Sequence, residues 1–464
     1  MVMISSNYFL KTKLCSLHVL STKIAEDLGI EELAWESKFY RSAPKKITAT
    51  GLVLGFWKLQ DGLSATKEGS NTLASWCLHT GTLEEGIAIS KQALANRLNE
   101  KTVKFAKSLL QAALGLKIAD EFKAQKQGAL KGIYTKFNNI LIQDSTMQKL
   151  PAHLSAQFPS SHSHGKEAST LRLQAIYNFT QEKWTTFELG GFTDNDQSKA
   201  MMMSQVAQKN DLVLRDLGYC TLESLTQLTK EQFVITSWDK KTNMYNPDNE
   251  QKIQLLSFLR GKTKVDQMVL LGSKAKLPMR LVAIKLPEHI AKKRIKDAKE
   301  DRHSKANHSA TYYELLKWDI YLTNVPPQTL TPKQVAKLYA LRWYIEILFK
   351  AWKSFAGFNT LLSKQTMSAN RTLISIYLML TRFVYYMTDI YQYVKQKVAQ
   401  KTDQFISILK FMDVCRKLAD KILLIETLEQ LDWLIPQFVR FATYDKRKDR
   451  INMQQKHLYF KQLT

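Results

Sequence analysis

An α/β fold is what this sequence predicts, with a strand-rich middle held between two helical, basic ends. Three observations carry that expectation. Short apolar runs bounded by turn-forming residues recur across residues 138–324, the texture of β-strands. Helical patterning dominates residues 7–131 and returns from about residue 370 to residue 441. Between these regions, the stretch YALRWYIEILFKAWK places Tyr339, Arg342, Glu346, Lys350 and Lys353 at offsets of three, four, four and three, along one face of a single helix. Leu341, Ile345, Leu348 and Trp352 supply the opposite, apolar face. Taken alone, that stripe also fits an ordinary amphipathic helix in which Glu346 pairs with Arg342 and Lys350.

Composition narrows the partners. With 464 residues the chain is too long for one ordinary core, so about two to four domains are expected. Hydrophobic residues make up 45%, which excludes global disorder. Lys and Arg number 67 against 42 Asp and Glu, a formal net charge of +25. A surplus that large favours a polyanion, because each cation beside a phosphate releases condensed counterions. A membrane surface is the competing polyanion, but the most apolar run, residues 373–391, contains Arg382 and Asp389 and reads as a buried helix rather than a span. Lys11 and Lys13 interrupt the apolar start, so no signal peptide and a cytoplasmic location are expected. Cys15, Cys77, Cys220 and Cys415 form no CxxC pair and fit reduced thiols.

The N-terminal region, residues 1–131, contains TLEEGIAISKQALANRL from Thr82. It reads as two helices around a turn at Gly86, the second beginning near Ser90. That is a helix-turn-helix shape, and Lys91 and Arg97 are placed to contact DNA; two ordinary packed helices fit equally. At NNILIQDSTM the texture changes to a strand ending at Asp144, followed by a turn of Ser145 and Thr146. LRLQAIYNF and KWTTFEL then predict a hairpin, and FTDNDQSKA a helix opening at about Gln197 with Asp194 and Asp196 near its positive end. The next strand, from Asp211, delivers Asp216 at its end, closed by Gly218. Carboxylates at strand ends are costly unless paired or functional, and two at one sheet edge suit hard cations. EQFVITSW, QMVLLGS, MRLVAIK and WDIYLTNV read as strands of a separate β-rich unit, with a basic helix from Ile290 inserted. His162, His164, His303 and His308 lack Cys partners and are not expected to bind metal.

With Asp144, Asp216 and Glu346 in this order, the chain resembles the DDE transposases of the RNase H-like superfamily. More narrowly it is similar to insertion-sequence transposases with a Tyr-x2-Arg-x3-Glu-x6-Lys signature, met here by Tyr339, Arg342, Glu346 and Lys353. Upstream, KWDIYLTNVP supplies the Trp318, Thr323 and Pro326 that such relatives place before the signature. The resemblance covers residues 137–380. It implies an RNase H-like mixed-sheet catalytic core, residues 132–217 and 325–375, interrupted by a β-rich insertion at residues 218–324. Helical N- and C-terminal regions, the latter at residues 376–464, would flank it.

The same resemblance implies a site and a reaction. Asp144, Asp216 and Glu346 are expected to be catalytic and to hold two Mg²⁺ ions, with Mn²⁺ as substitute, for in-line attack on a phosphodiester. Tyr339, Arg342 and Lys353 are expected to hold phosphates. Trp318 and Trp343 are candidates for stacking a flipped base, an interaction worth about 1–3 kcal/mol; core or interface tryptophans are the alternative. The expected partner is double-stranded DNA, transposon ends and target, engaged by a homodimer joined through the helices after Asn370, in a bacterial-type, nucleoid-associated setting. Excision is expected to pass through a hairpin. A structure-selective nuclease without strand transfer and a non-catalytic helix-turn-helix regulator are the alternatives.

Overall fold

The computed structural model describes residues 22–44, 46–65, 72–81, 83, 89–117, 132–160, 168–238, 242–300, 308–355 and 367–445. Outside these lie Cys15, most of the expected first helix of the helix-turn-helix with its Gly86 turn, His162, His164, His303 and the basic C-terminal tail. A single nine-stranded mixed sheet, in the order β3-β2-β1-β4-β5-β9-β8-β7-β6, organises the rest. Its strands are β1 (Ile140–Leu150), β2 (Ser169–Asn178), β3 (Lys183–Gly190), β4 (Leu212–Arg215), β5 (Phe233–Ser237), β6 (Met244–Tyr245), β7 (Lys264–Leu271), β8 (Leu277–Lys285) and β9 (Trp318–Thr323). The predicted hairpin is β2–β3. With β1 it makes an antiparallel meander, and β4 and β5 then add in parallel on the other side of β1. This is the mixed sheet expected of an RNase H-like core.

Three local expectations differ. The strand expected to stop at Asp144 runs on to Leu150, because its antiparallel partner β2 keeps pairing as far as Leu150 opposite Ser169. Its parallel partner β4 does stop there, with Arg215 opposite Gln143. The helix expected from Gln197 is a 3-10 segment, Ala200–Gln205, and Asp196 bonds to β1 and β2 instead of facing a helix end. The strands expected to form a separate β-rich unit extend the same sheet: β5 lies beside β4, and β9, β8, β7 and β6 follow antiparallel from it. The basic helix of that stretch spans Glu288–Glu300.

The expected single helix over residues 339–353 is two. Pro332–Tyr339 begins with a capping box, Thr331 and Gln334 satisfying each other's ends, with Pro332 in the first turn where its missing N–H is harmless. A 3-10 turn, Ala340–Arg342, then leads into Trp343–Phe355. Tyr339 therefore ends one helix, Arg342 ends the turn, and Glu346 and Lys353 lie on the next helix.

The helical ends do not fold apart from the sheet. One apolar cluster joins Leu52, Trp57 and Phe105 of the N-terminal helices, Ile140 and Ile142 of β1, Ile345 and Trp352, and Ile376, Phe383 and Phe438 of the C-terminal helices. Expected domain boundaries at residues 131 and 376 thus have one continuous core beneath them. The apolar run forms an α-helix, Ala369–Tyr385, a π-helical stretch, Tyr386–Ile390, and a further α-helix, Tyr391–Lys401. This assembly has the length and composition of a membrane span, but 83% of its most apolar window is buried inside the protein. Arg382 is fully buried there, donating to the Asp61 carboxylate at 2.7 Å and the Trp57 carbonyl at 2.9 Å. Because Ala369–Tyr385 packs against Glu100–Gly115 and Ala49–Ala65, it is not the exposed dimer surface expected of it. Among the described residues, the exposed large apolar side chains of the C-terminal region are Leu424, Trp433 and Phe441.

Candidate active site

Sheet parity aims two carboxylates at the same place. Ile140, Ile142, Leu212 and Leu214 face the large core, and Leu141 and Val213 face the opposite side. By the two-residue period of a strand, Asp144 and Asp216 continue the first series. Asp144 sits where β1 loses its parallel neighbour, and Asp216 is the first residue beyond β4. Asp216 begins the 3-10 turn Leu217–Tyr219 without its side chain capping that turn, so the carboxylate is not explained as a cap. Trp343–Phe355 packs across the same face and brings Glu346 from its first turn. Asp144, Asp216 and Glu346 line one cleft of about 440 Å³, with Arg342, Lys350 and Lys353.

Arg342 stands at the centre of this group. Its Nη1 donates to Asp144 Oδ2 at 2.8 Å and its Nη2 to Glu346 Oε1 at 2.7 Å. Burial disfavours the guanidinium charge, but Asp216, Asp144 and Glu346 outweigh burial and raise its pKa. Among the described residues no three metal-ligating side chains are gathered tightly enough to form a ready cation cage. In this cleft the guanidinium bonds to two of the three carboxylates at once. The chemistry of the donor set nonetheless fits a hard divalent cation, since carboxylate oxygens on an open cleft are the ligands such ions prefer. Burial pushes the Asp144 carboxyl up to about 7. Asp216 and Glu346 add to the rise, while Arg342 and the Ser145 N–H, 2.8 Å from Oδ1, oppose it.

The remaining expected residues divide. Lys353 is half-buried and donates to the Met147 carbonyl at 2.7 Å, so it fastens its helix to β1; burial lowers its pKa. Tyr339 donates to Ser237 Oγ at the end of β5, 3.1 Å away, and packs on Tyr321. Lys350, which the sequence offers as a salt-bridge partner of Glu346 outside the signature, is exposed on the cleft wall. Trp343 is 55% exposed, whereas Trp318 is buried at the start of β9. Trp318 lines a second cavity, about 760 Å³, with Leu217, Arg294, Tyr312 and Tyr339. Lys91 is exposed on the helix Lys91–Arg97, which begins where expected and is capped by Ser90. Arg97 instead reaches Phe39, its guanidinium 5.2 Å from the ring centre and 3.4 Å from the carbonyl oxygen. Ser237 escaped the sequence reading, and Asp196 was placed at a helix end, because their partners lie up to 102 residues away.

Comparison with known proteins agrees with this geometry. The family model for the transposase DDE domain matches residues 135–381, which contain Asp144, Asp216 and Glu346. The chain is 31% identical over 351 residues to the transposase for insertion sequence element IS231F of Bacillus thuringiensis subsp. israelensis, covering 70% of each. It is 28% identical over 292 residues to the transposase for IS1151 of Clostridium perfringens, covering 58% of this chain and 60% of that one. Among solved structures, a piggyBac transposase synaptic complex with hairpin DNA is similar at 10% identity and a TM-score of 0.43, covering 96% of this chain and 87% of that one. A similarity that distant supports no inference about mechanism. Family match and relatives together establish the class: the chain belongs to the DDE transposases, alongside those of insertion sequences.

Proposed function

We propose that the chain binds the ends of an insertion sequence and catalyses metal-dependent DNA cleavage and strand transfer through Asp144, Asp216 and Glu346. One observation carries the reading: three carboxylates from β1, from the end of β4 and from Trp343–Phe355 meet on a single cleft in a chain of net charge +25. Asp144, next to both other carboxylates, would be held in common by the ions, with Asp216 and Glu346 each holding one. Two Mg²⁺ ions, or Mn²⁺ in their place, would supply activation of the attacking oxygen and stabilisation of the leaving oxygen.

The chain's own groups do the rest. Arg342 orients Asp144 and Glu346 through its two terminal nitrogens, a task that replaces the phosphate contact expected of it. Lys350 and Trp343, both exposed beside that helix, are the residues we assign to the DNA backbone and to an unstacked base. Lys353 holds the cleft wall closed against β1, and Tyr339 fixes the turn before Trp343 to β5. Trp318 and its cavity are the alternative seat for a flipped base, as a hairpin route would require. Lys91 is assigned to DNA through the N-terminal helices. Two copies are expected to bring two ends together, in the bacterial cytoplasm and on its nucleoid.

The test is a supercoiled plasmid carrying the element's ends, incubated with the protein and Mg²⁺. Nicks at those ends followed by joined products are expected. A joined product also separates transposition from simple nuclease action. Cleavage by Glu346→Gln at the wild-type rate would overturn the assignment.

A further inference from the structure

A fourth carboxylate lies beneath the site and touches none of the three. We propose that Asp196 is a positioning residue that fixes the spacing of Asp144 and Asp216 by holding both of their strand ends at once. This rests on the reading that those two aspartates hold the divalent ion.

The geometry is specific. Asp196 Oδ1 accepts from Ser145 Oγ at 2.7 Å, from Arg172 Nη1 at 3.2 Å and from Gln174 Nε2 at 3.2 Å. Ser145 follows Asp144 on β1, and its side chain points to the opposite face of the sheet. Asp196 Oδ2 lies against Gly218, two residues after Asp216; a Cβ added to Gly218 would stand 2.7 Å from that oxygen and 2.9 Å from Asp196 Cβ. Gly218 has no left-handed backbone conformation, so the close approach of Asp196 is what this position requires of its residue. Gln174 closes the loop, donating to Asp196 and accepting from the hydroxyl of buried Tyr219 in the same turn. One carboxylate therefore grips β1 beside the first catalytic aspartate and presses on the turn beside the second. An ionised acceptor shared by three donors makes stronger bonds than a neutral one, which suits a rigid spacer. Outer groups that orient metal ligands typically govern metal affinity by 10–100-fold.

Mn²⁺ binding to the full-length protein without DNA, followed by electron paramagnetic resonance of the free ion, tests the proposal. Asp216→Asn is the reference variant. Asp196→Asn and Gly218→Ala are each expected to weaken Mn²⁺ binding about tenfold, while DNA affinity in chelator and the melting temperature stay near wild type. Ser145→Ala, which removes one donor only, is the milder variant should either of these fail to fold, and is expected to move Mn²⁺ binding in the same direction. Because the Gly218→Ala clash is with Asp196 Oδ2 and Cβ, the double variant with Asp196→Gly should bind Mn²⁺ no more weakly than Asp196→Gly alone; additive losses would overturn the coupling. If Asp216→Asn binds Mn²⁺ as wild type does, the site reading falls and the proposal with it. If Asp216→Asn binds weakly while Asp196→Asn and Gly218→Ala match wild type, the proposal alone is overturned.

Discussion

Arg382 and Arg342 are each held by carboxylate at 2.7–2.8 Å, yet one pair lies in the core and the other in the candidate active-site cleft. Arg382 is 0% exposed and pairs with the Asp61 carboxylate, and it also donates to the Trp57 carbonyl and the Tyr386 hydroxyl. Arg342 is 15% exposed and lies among three carboxylates on an open cleft. Burial lifts both aspartates, Asp61 to about 6 against the pull of Arg382, and Asp144 to about 7 with two acidic neighbours adding to it. Buried ion pairing and a raised carboxyl are therefore common to both. What sets the candidate site apart is surplus negative charge together with access.

Breaking each arrangement should give opposite phenotypes. Glu346→Gln removes surplus charge from the open site and is expected to lower strand cleavage by about a thousandfold or more, with the melting temperature within a few degrees of wild type. Arg382→Ala strands Asp61 in the core and should cost about 3–5 kcal/mol of stability, seen as a lower denaturation midpoint. Replacing both partners, as Asp61→Leu with Arg382→Met, should recover most of that loss; failure to recover would mean that the pair does more than neutralise itself.

The pH dependences sharpen the contrast. At the cleft, protonated Asp144 competes with a divalent ion, so Mn²⁺ affinity should fall about tenfold per pH unit below 7, and Asp144→Asn should abolish the dependence along with binding. In the core, Asp61 is raised above its unfolded value near 3.8, so the folded state keeps a proton that the unfolded chain releases. The stability contributed by this group is then greatest below about 3.8 and declines as pH rises towards 6. Urea midpoints of Asp61→Asn against wild type across that window read the difference. The smallest expected effect is Trp343→Ala, within about 0.5 kcal/mol in stability because the side chain is exposed, but a few-fold weaker in binding DNA.

The three carboxylates were legible in the sequence because each depends on a local pattern. Short apolar runs closed by turn residues marked Asp144 and Asp216 as strand ends, and the three-and-four spacing of a helical stripe marked Glu346. Roles that depend on how elements cross were not legible. Arg342 and Lys353 have the look of phosphate ligands along the chain, but their bonds go to Asp144, 198 residues away, and to Met147, 206 residues away. Neither glycine nor proline marks the break at Ala340–Arg342, since tertiary contacts, Tyr339 to Ser237 among them, set that bend. Ser145 and Thr146 looked like a turn after Asp144 because hydroxyl residues suit turns, whereas pairing with β2 keeps them in a strand. That the helical ends share the sheet's core was not legible for a similar reason: the apolar faces that meet there lie far apart in the chain.

That shared core has a consequence for how such genes decay. The helix from Ala369 is the wall on which Glu100–Gly115 and Ala49–Ala65 rest. A copy cut short by a stop codon before residue 369 would release an N-terminal fragment lacking the surface that folds it. Shortened copies of this kind would be cleared as misfolded chains instead of persisting as competitors for the ends used by intact neighbours.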